Sequence, residues 1–139
     1  MAKKREKKRK ADAGRRPVAG VDIGGTKIHV VISAGTGKVQ GRSRAKTRRD
    51  GEFTGIMEQV VRLVKKAAGK AELGLADLAA VGVGAPAPIL PDGTAVAAPN
   101  LKWENEPLGS SLTELLGRPV FGINDCNAGT LAEHTFGAA

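Results

Sequence analysis

Hydrophobic positions change period along the chain, and the changes mark its elements. "PVAGVDIGG" (17–25) and "KIHVVISA" (27–34) are short apolar runs rich in β-branched residues, and "VQGRSRAKTRR" (39–49) adds a third run with a basic side. Such runs read as strands. The short turns between them, "GTGK" (35–38) included, predict an antiparallel meander. The period then lengthens: Phe53, Ile56, Met57, Val60, Val61, Val64, Ala67 and Ala68 recur at helical spacing, with Glu58, Arg62, Lys65 and Lys66 on the opposite side. Asp50 stands where it would start this helix, and Gly69 or Gly74 where one would end it.

"LAAVGVGAP" (78–86) is a continuous run of small apolar residues, the pattern of a strand covered on both faces. Residues 85–107 hold five of the seven prolines and read as a loop region, with a small hairpin at "PDG" (91–93). "PLGSSLTELLG" (107–117) predicts a short helix with Leu108, Leu112, Leu115 and Leu116 inward. "PVFGIND" (119–125) predicts another buried strand, and "NAGTLAEHTFGA" (127–138) a helix packed through Leu131, Thr135 and Phe136. The order β-β-β-α-β-α-β-α is that of a ribonuclease-H-like (actin-like ATPase) lobe, an α/β fold with a mixed sheet flanked by helices. A doubly wound dinucleotide fold would alternate from its first strand and carry G-x-G-x-x-G after it, which this chain does not.

Composition narrows the class. Hydrophobic residues make up 41% of the chain but aromatic ones only 3%, so Val, Leu, Ile and Ala must build the core. The net charge of +8 is unevenly placed, because residues 1–16 carry nine of the 22 Lys and Arg against only Glu6 and Asp12. The rest of the chain is close to neutral. Residues 1–17 therefore read as a basic disordered tail, open to contact with nucleic acid or polyphosphate but ordinarily just solvated. No apolar segment follows the charges as in a secretory signal, and no run approaches the roughly 18 residues of a membrane span. A lone Cys126 excludes an intrachain disulfide framework. A cytoplasmic location is expected.

Two clusters carry candidate chemistry. In "VDIGGTK", Gly24 and Gly25 have the backbone freedom to aim amide groups at an anion, Thr26 adds a hydroxyl and Lys27 a positive charge. Asp22 would repel phosphate unless Mg²⁺, held through water, lies between them. The run is not a Walker A loop, and a plain hairpin tip accounts for the glycines as well. In "INDCNAG" (123–129), Asn124 and Asp125 stand where a strand gives way to a helix. Asp125 could be the helix cap or a general base that takes a proton from a substrate hydroxyl, with Asn124 fixing a neighbouring hydroxyl.

Together with the loop "APNLKWENEPLG" (98–109), these motifs resemble the N-terminal lobe of the ROK family (repressors, open reading frames and sugar kinases), and most of all its glucokinases. "GVDIGGTK", "VGVGAPAP", "APNLKWENEPLGSSLTELLGRPV" and "NDCNAGTLAEHTFGA" stand in the family's order from about Val18 to Ala139. The resemblance implies ATP- and Mg²⁺-dependent phosphorylation of a hexose, glucose at its 6-hydroxyl in the first place. It implies Asp125 as catalytic base, Asn124 and Asn100 as sugar-side residues, and Asp22, Gly24, Gly25, Thr26 and Lys27 as the first phosphate-binding loop, with Asp22 on the metal. The family pattern Pro-Gly-Pro is replaced by Pro86-Ala87-Pro88, whose added methyl would crowd a sugar pocket. The resemblance also implies a C-terminal lobe, absent from these 139 residues, that brings the second phosphate loop, the adenine site and a structural zinc. A kinase lobe of this type on its own is expected to be inactive or impaired.

Alternatives stay open at this level. A non-catalytic sugar-sensing module and a polyphosphate-using glucokinase fit the same motifs, and a homodimer is compatible with them. His29 and His134 read as packing or surface residues, and Cys126 as a small buried side chain. Gly129 stands where a helix would prefer alanine. Trp103 reads either as the anchor of its own loop or as a cover for the sugar.

Overall fold

The computed structural model describes residues 16–34 and 38–124. In chain order the elements are β1 (Val18–Ile23), β2 (Lys27–Ser33), β3 (Val39–Lys46), α1 (Phe53–Lys70), β4 (Val81–Ala85), β5 (Ala95–Ala98), β6 (Trp103–Glu106), α2 (Leu108–Leu116) and β7 (Val120–Asn124). The main sheet has the order β3-β2-β1-β4-β7. β1, β2 and β3 pair antiparallel, whereas β4 lies parallel to β1 and β7 parallel to β4. This is the mixed sheet expected of a ribonuclease-H-like lobe. The helix expected at 127–138, with Asp125, Cys126, Gly129 and His134, lies outside the described residues.

Register decides which face is packed. Ser43, Val30, Val21, Val83 and Gly122 form one row across the five strands. At one end of this row the Ser43 hydroxyl donates to the Leu63 carbonyl of α1 (2.6 Å). At the other end a Cβ on Gly122 would lie 3.9 Å from Leu108 of α2. Both helices therefore cover the same face, against Ala19, Val21, Ile23, Ile28, Val30 and Ile32, none more than 4% exposed. The next rows, Arg44 with His29, Asp22, Gly84 and Ile123, and Arg42 with Val31, Gly20, Gly82 and Phe121, belong to the outer face.

Several boundaries depart from the sequence expectation. Asp50 does not cap α1: Glu52 takes that position without a side-chain bond, while the Asp50 carboxylate accepts the Glu52 N–H (3.1 Å) and pairs with Arg48 (3.0 Å). Neither glycine ends the helix. Gly69 lies inside it, and Glu72 adopts the left-handed conformation (φ 60°), with Leu73 N–H donating to the Ala68 carbonyl (2.8 Å) and Glu72 N–H to Gly69 (3.0 Å). That is a Schellman ending, which usually uses glycine at this position. In α2, Leu108, Leu112 and Leu116 are buried but Leu115 is 50% exposed, so the apolar stripe is narrower than expected. The turn around Gly93 carries only a single bridge, Ile89 to Ala95. The regular ribbon of this region is instead β5 with β6, joined by a 3-10 turn at Pro99–Leu101.

Candidate functional site

Because β1, β4 and β7 are parallel, their carboxyl ends share one edge of the sheet, and the segments that leave them meet there. Such edges are where open α/β sheets bind ligands. The hairpin loop at 24–27 leaves β1, Pro86-Ala87-Pro88 leaves β4, and Asn124 ends β7.

The loop is held from beneath. Gly24 N–H donates to the Lys27 carbonyl (2.9 Å). Thr47, just past β3 and 7% exposed, donates its hydroxyl to the Gly24 carbonyl (2.7 Å) and its N–H to the Thr26 carbonyl (2.8 Å). Three carbonyls are thereby turned inward. Among the described residues the Gly25 and Thr26 N–H groups make no hydrogen bond, and Gly25, Thr26 and Lys27 are exposed. Two amides, a hydroxyl and an ammonium on one tip are the donor set of an anion site. The glycines work differently from the expectation, since neither adopts a positive φ. Gly24 is needed for close approach, because a Cβ there would lie 2.9 Å from the Lys27 carbonyl oxygen.

Gly25 touches the second loop: a Cβ on it would sit 3.4 Å from Asn100 Cβ. Asn100 is exposed on the 3-10 turn between β5 and β6, so the structure brings these two expected site residues together. Trp103 fixes that turn and is not a free lid. It is 3% exposed, its indole N–H donates to the Gly51 carbonyl (3.2 Å), and its ring meets Phe53 edge-on at 5.3 Å between centroids. Gly51 (φ 64°) approaches so closely that a Cβ would lie 2.9 Å from the Leu101 carbonyl oxygen. Nothing in the sequence marked Thr47 or Gly51. Each is one small residue in a polar run, and its role depends on pairing across the fold.

The strand end at Asn124 is tied to the Pro-Ala-Pro turn, its Nδ2 donating to the Ala87 carbonyl (3.1 Å). Ala87 is 1% exposed and belongs to the buried cluster, so its methyl fills the core and does not project from an open surface. Asp125 lies outside the described residues. Asp22 projects from the outer face, in register with His29 of β2 and Gly84 of β4, and is exposed. No group of three or more His, Cys, Asp or Glu side chains clusters among the described residues. A lone exposed carboxylate beside a phosphate-type loop suits Mg²⁺, which keeps several waters and takes its remaining ligands from phosphate oxygens. Among the described residues, no helix is long and apolar enough to cross a membrane.

A sequence profile of the ROK family matches residues 18–139. The chain is 32% identical over 140 residues to a xylose repressor from Caldicellulosiruptor bescii, covering 92% of this chain and 35% of the repressor. Among solved structures it resembles a ROK family glucokinase from Streptomyces griseus in complex with glucose and AMPPNP (TM-score 0.79, 32% identity, 88% of this chain and 37% of that one). It also resembles an inorganic polyphosphate/ATP-glucomannokinase from Arthrobacter sp. strain KM (TM-score 0.77, 35% identity, 88% and 49%). The chain thus spans about a third of the length of the curated relatives it matches.

Proposed function

The chain belongs to the ROK family, and on that premise we propose that residues 18–139 form the first lobe of a hexose kinase, with residues 1–17 an appended basic tail. The observation that carries this reading is the convergence at one sheet edge of the donor-rich 24–27 loop, Asn100 against Gly25, and the Asn124 strand end. The donor is a phosphoanhydride, ATP in the first place. The likeness to the polyphosphate/ATP-glucomannokinase makes inorganic polyphosphate the second donor to try.

In this reading Gly25 and Thr26 N–H, the Thr26 hydroxyl and Lys27 hold phosphate oxygens, and Thr47 keeps the loop carbonyls from facing them. Asp22 would carry Mg²⁺ through water, and the ion supplies charge neutralisation at the phosphates. Asn100 and Asn124 orient the sugar. Asp125 accepts the proton of the 6-hydroxyl as its oxygen forms the new bond to phosphorus and the bond from phosphorus to the leaving phosphate oxygen breaks. Phosphoryl transfer needs mainly positioning and late proton removal, so an ordinary carboxylate suffices as base. The remainder of the cleft and the adenine contacts belong to a second lobe.

A second reading, a sugar-sensing module without transfer, is favoured by the repressor likeness over 92% of the chain. Calorimetric titration of the chain with glucose and with Mg²⁺-AMPPNP separates the two. The kinase reading expects heat from both and loss of the AMPPNP response in Lys27→Ala. Glucose binding with no nucleotide response would favour sensing.

A further inference from the structure

The outer face of the β2-β3 hairpin is a single-sign surface. Lys27 stands directly opposite Lys46, His29 opposite Arg44, and Val31 opposite Arg42. Lys27, His29, Arg42, Arg44 and Lys46 are all exposed. None of them forms an ion pair among the described residues. The outer side of these two strands carries no carboxylate; Asp22 flanks it on β1, in register with His29. Like charges directly opposite one another, with Cβ atoms about 5 Å apart, work against strand pairing. Charges on β3 alone would serve to blunt an edge strand. That purpose does not account for Lys27, which lies on the inner strand β2 and ends the patch in the 24–27 loop.

We infer that this face is a binding track for inorganic polyphosphate, running from the 24–27 loop across Lys46, Arg44 and Arg42. The inference rests on the reading of that loop as a phosphate site and extends it from one terminal phosphate to a chain. Alternate residues of β3 lie about 6.7 Å apart, so the three cations form a straight row that a linear polyanion can follow. Single-stranded nucleic acid would want aromatic platforms for its bases. Among the described residues the patch has none: Phe53 and Trp103 pack against each other, and Phe121 lies on β7, at the other end of the sheet order. A chain of bare phosphates needs only the charges. The residues of the track belong to β2 and β3 and are separate in sequence from the basic tail at 1–17.

The test is fluorescence-anisotropy binding of labelled linear polyphosphate to the full chain in a K3S/K4S/K7S/K8S/K10S background that quiets the tail. Adding R42S/R44S/K46S is expected to weaken binding by about tenfold or more and to flatten its salt dependence. R42K/R44K/K46R is expected to bind like the parent, and unchanged thermal melting checks that each variant is folded. Equal polyphosphate affinity with and without the three serines would overturn the track, as would oligo(dT) binding as tight as polyphosphate. Tripolyphosphate, too short to run along the row, reads the loop separately. If it binds and depends on Lys27 while the serine variant leaves long-chain binding intact, the track fails and the loop reading stands. Long-chain binding that depends on the arginines without any tripolyphosphate binding would sink the loop reading and, with it, the inference as stated.

Discussion

The two faces of the main sheet are made from the same strands and have opposite characters. On the helix-covered face Ile23, Ile28 and Ile32 are fully buried, as are Val60, Val64 and Leu112 of the helices, and close packing tolerates little change. The outer face carries Asp22, His29, Arg42 and Arg44, with Val18 37% and Phe121 67% exposed. One residue of offset in register separates a position that holds the fold together from one that faces solvent or a ligand. Stability is therefore a property of the inner rows, and the recognition we propose would fall to the outer rows and to the edge where the parallel strands end.

The sharpest way to break that comparison is a pair of truncations. Ile28→Ala is expected to cost about 3 kcal/mol through lost burial and a residual cavity. Arg44→Ser, one row away on the neighbouring strand, should stay within about 0.5 kcal/mol. Urea unfolding of both variants measures the difference, and equal losses would show that the faces are not energetically distinct. Two strand glycines give a smaller contrast. A Cβ on Gly41 would collide with the Ala67 carbonyl of α1, whereas one on Gly82 would meet nothing within 4 Å. Gly41→Ala is expected to lose about 2 kcal/mol by overpacking, and Gly82→Ala almost nothing.

Thr47→Val tests the site rather than the core. It removes the bond to the Gly24 carbonyl at a cost of about 1 kcal/mol, and Thr47→Ser should restore most of it. Amide hydrogen exchange at Gly25 and Thr26 should quicken in the valine variant and return in the serine variant. An unchanged exchange rate would mean that Thr47 does not shape the loop.

The smallest effect concerns pH. The Glu52 N–H, and after it the Arg48 side chain, hold the exposed Asp50 carboxyl below the ordinary carboxylate range. A group lowered in this way adds stability above its unfolded pKa and loses it as pH falls through the lowered value. Asp50→Asn should therefore trim stability slightly at pH 7 and matter less as pH falls through the lowered value. Acid unfolding curves that superimpose at every pH would contradict the contact.

Much of this architecture could be read from the chain because it rests on local periodicity. The alternation in β1 and β2, the long apolar stripe of α1 and the small-residue run of β4 each name their element. What escaped the reading depends on distant partners. Glu72 ends α1 in a conformation that glycine usually takes, so the glycines on either side misled. β5 and β6 are four residues each and exist as strands only because they pair. Within the site, the "VDIGGTK" motif gave the residues but not the reason for them. Gly24 answers to a close carbonyl, and Thr47, one of two hydroxyls in a basic run, proves to be the brace beneath the loop. Pro86-Ala87-Pro88 pointed to a crowded pocket, while the Ala87 methyl lies in the core and its carbonyl serves Asn124.

In the proposed reading the 24–27 hairpin loop binds phosphate, and amide NMR of the labelled chain during titration with Mg²⁺-AMPPNP observes that binding at its donors. The Gly25 and Thr26 amides are expected to shift first and furthest, Lys27→Ala to abolish the shifts, and residues in α2 to stay still. Shifts confined to other parts of the sheet, or a Lys27→Ala chain that titrates like the parent, would contradict it.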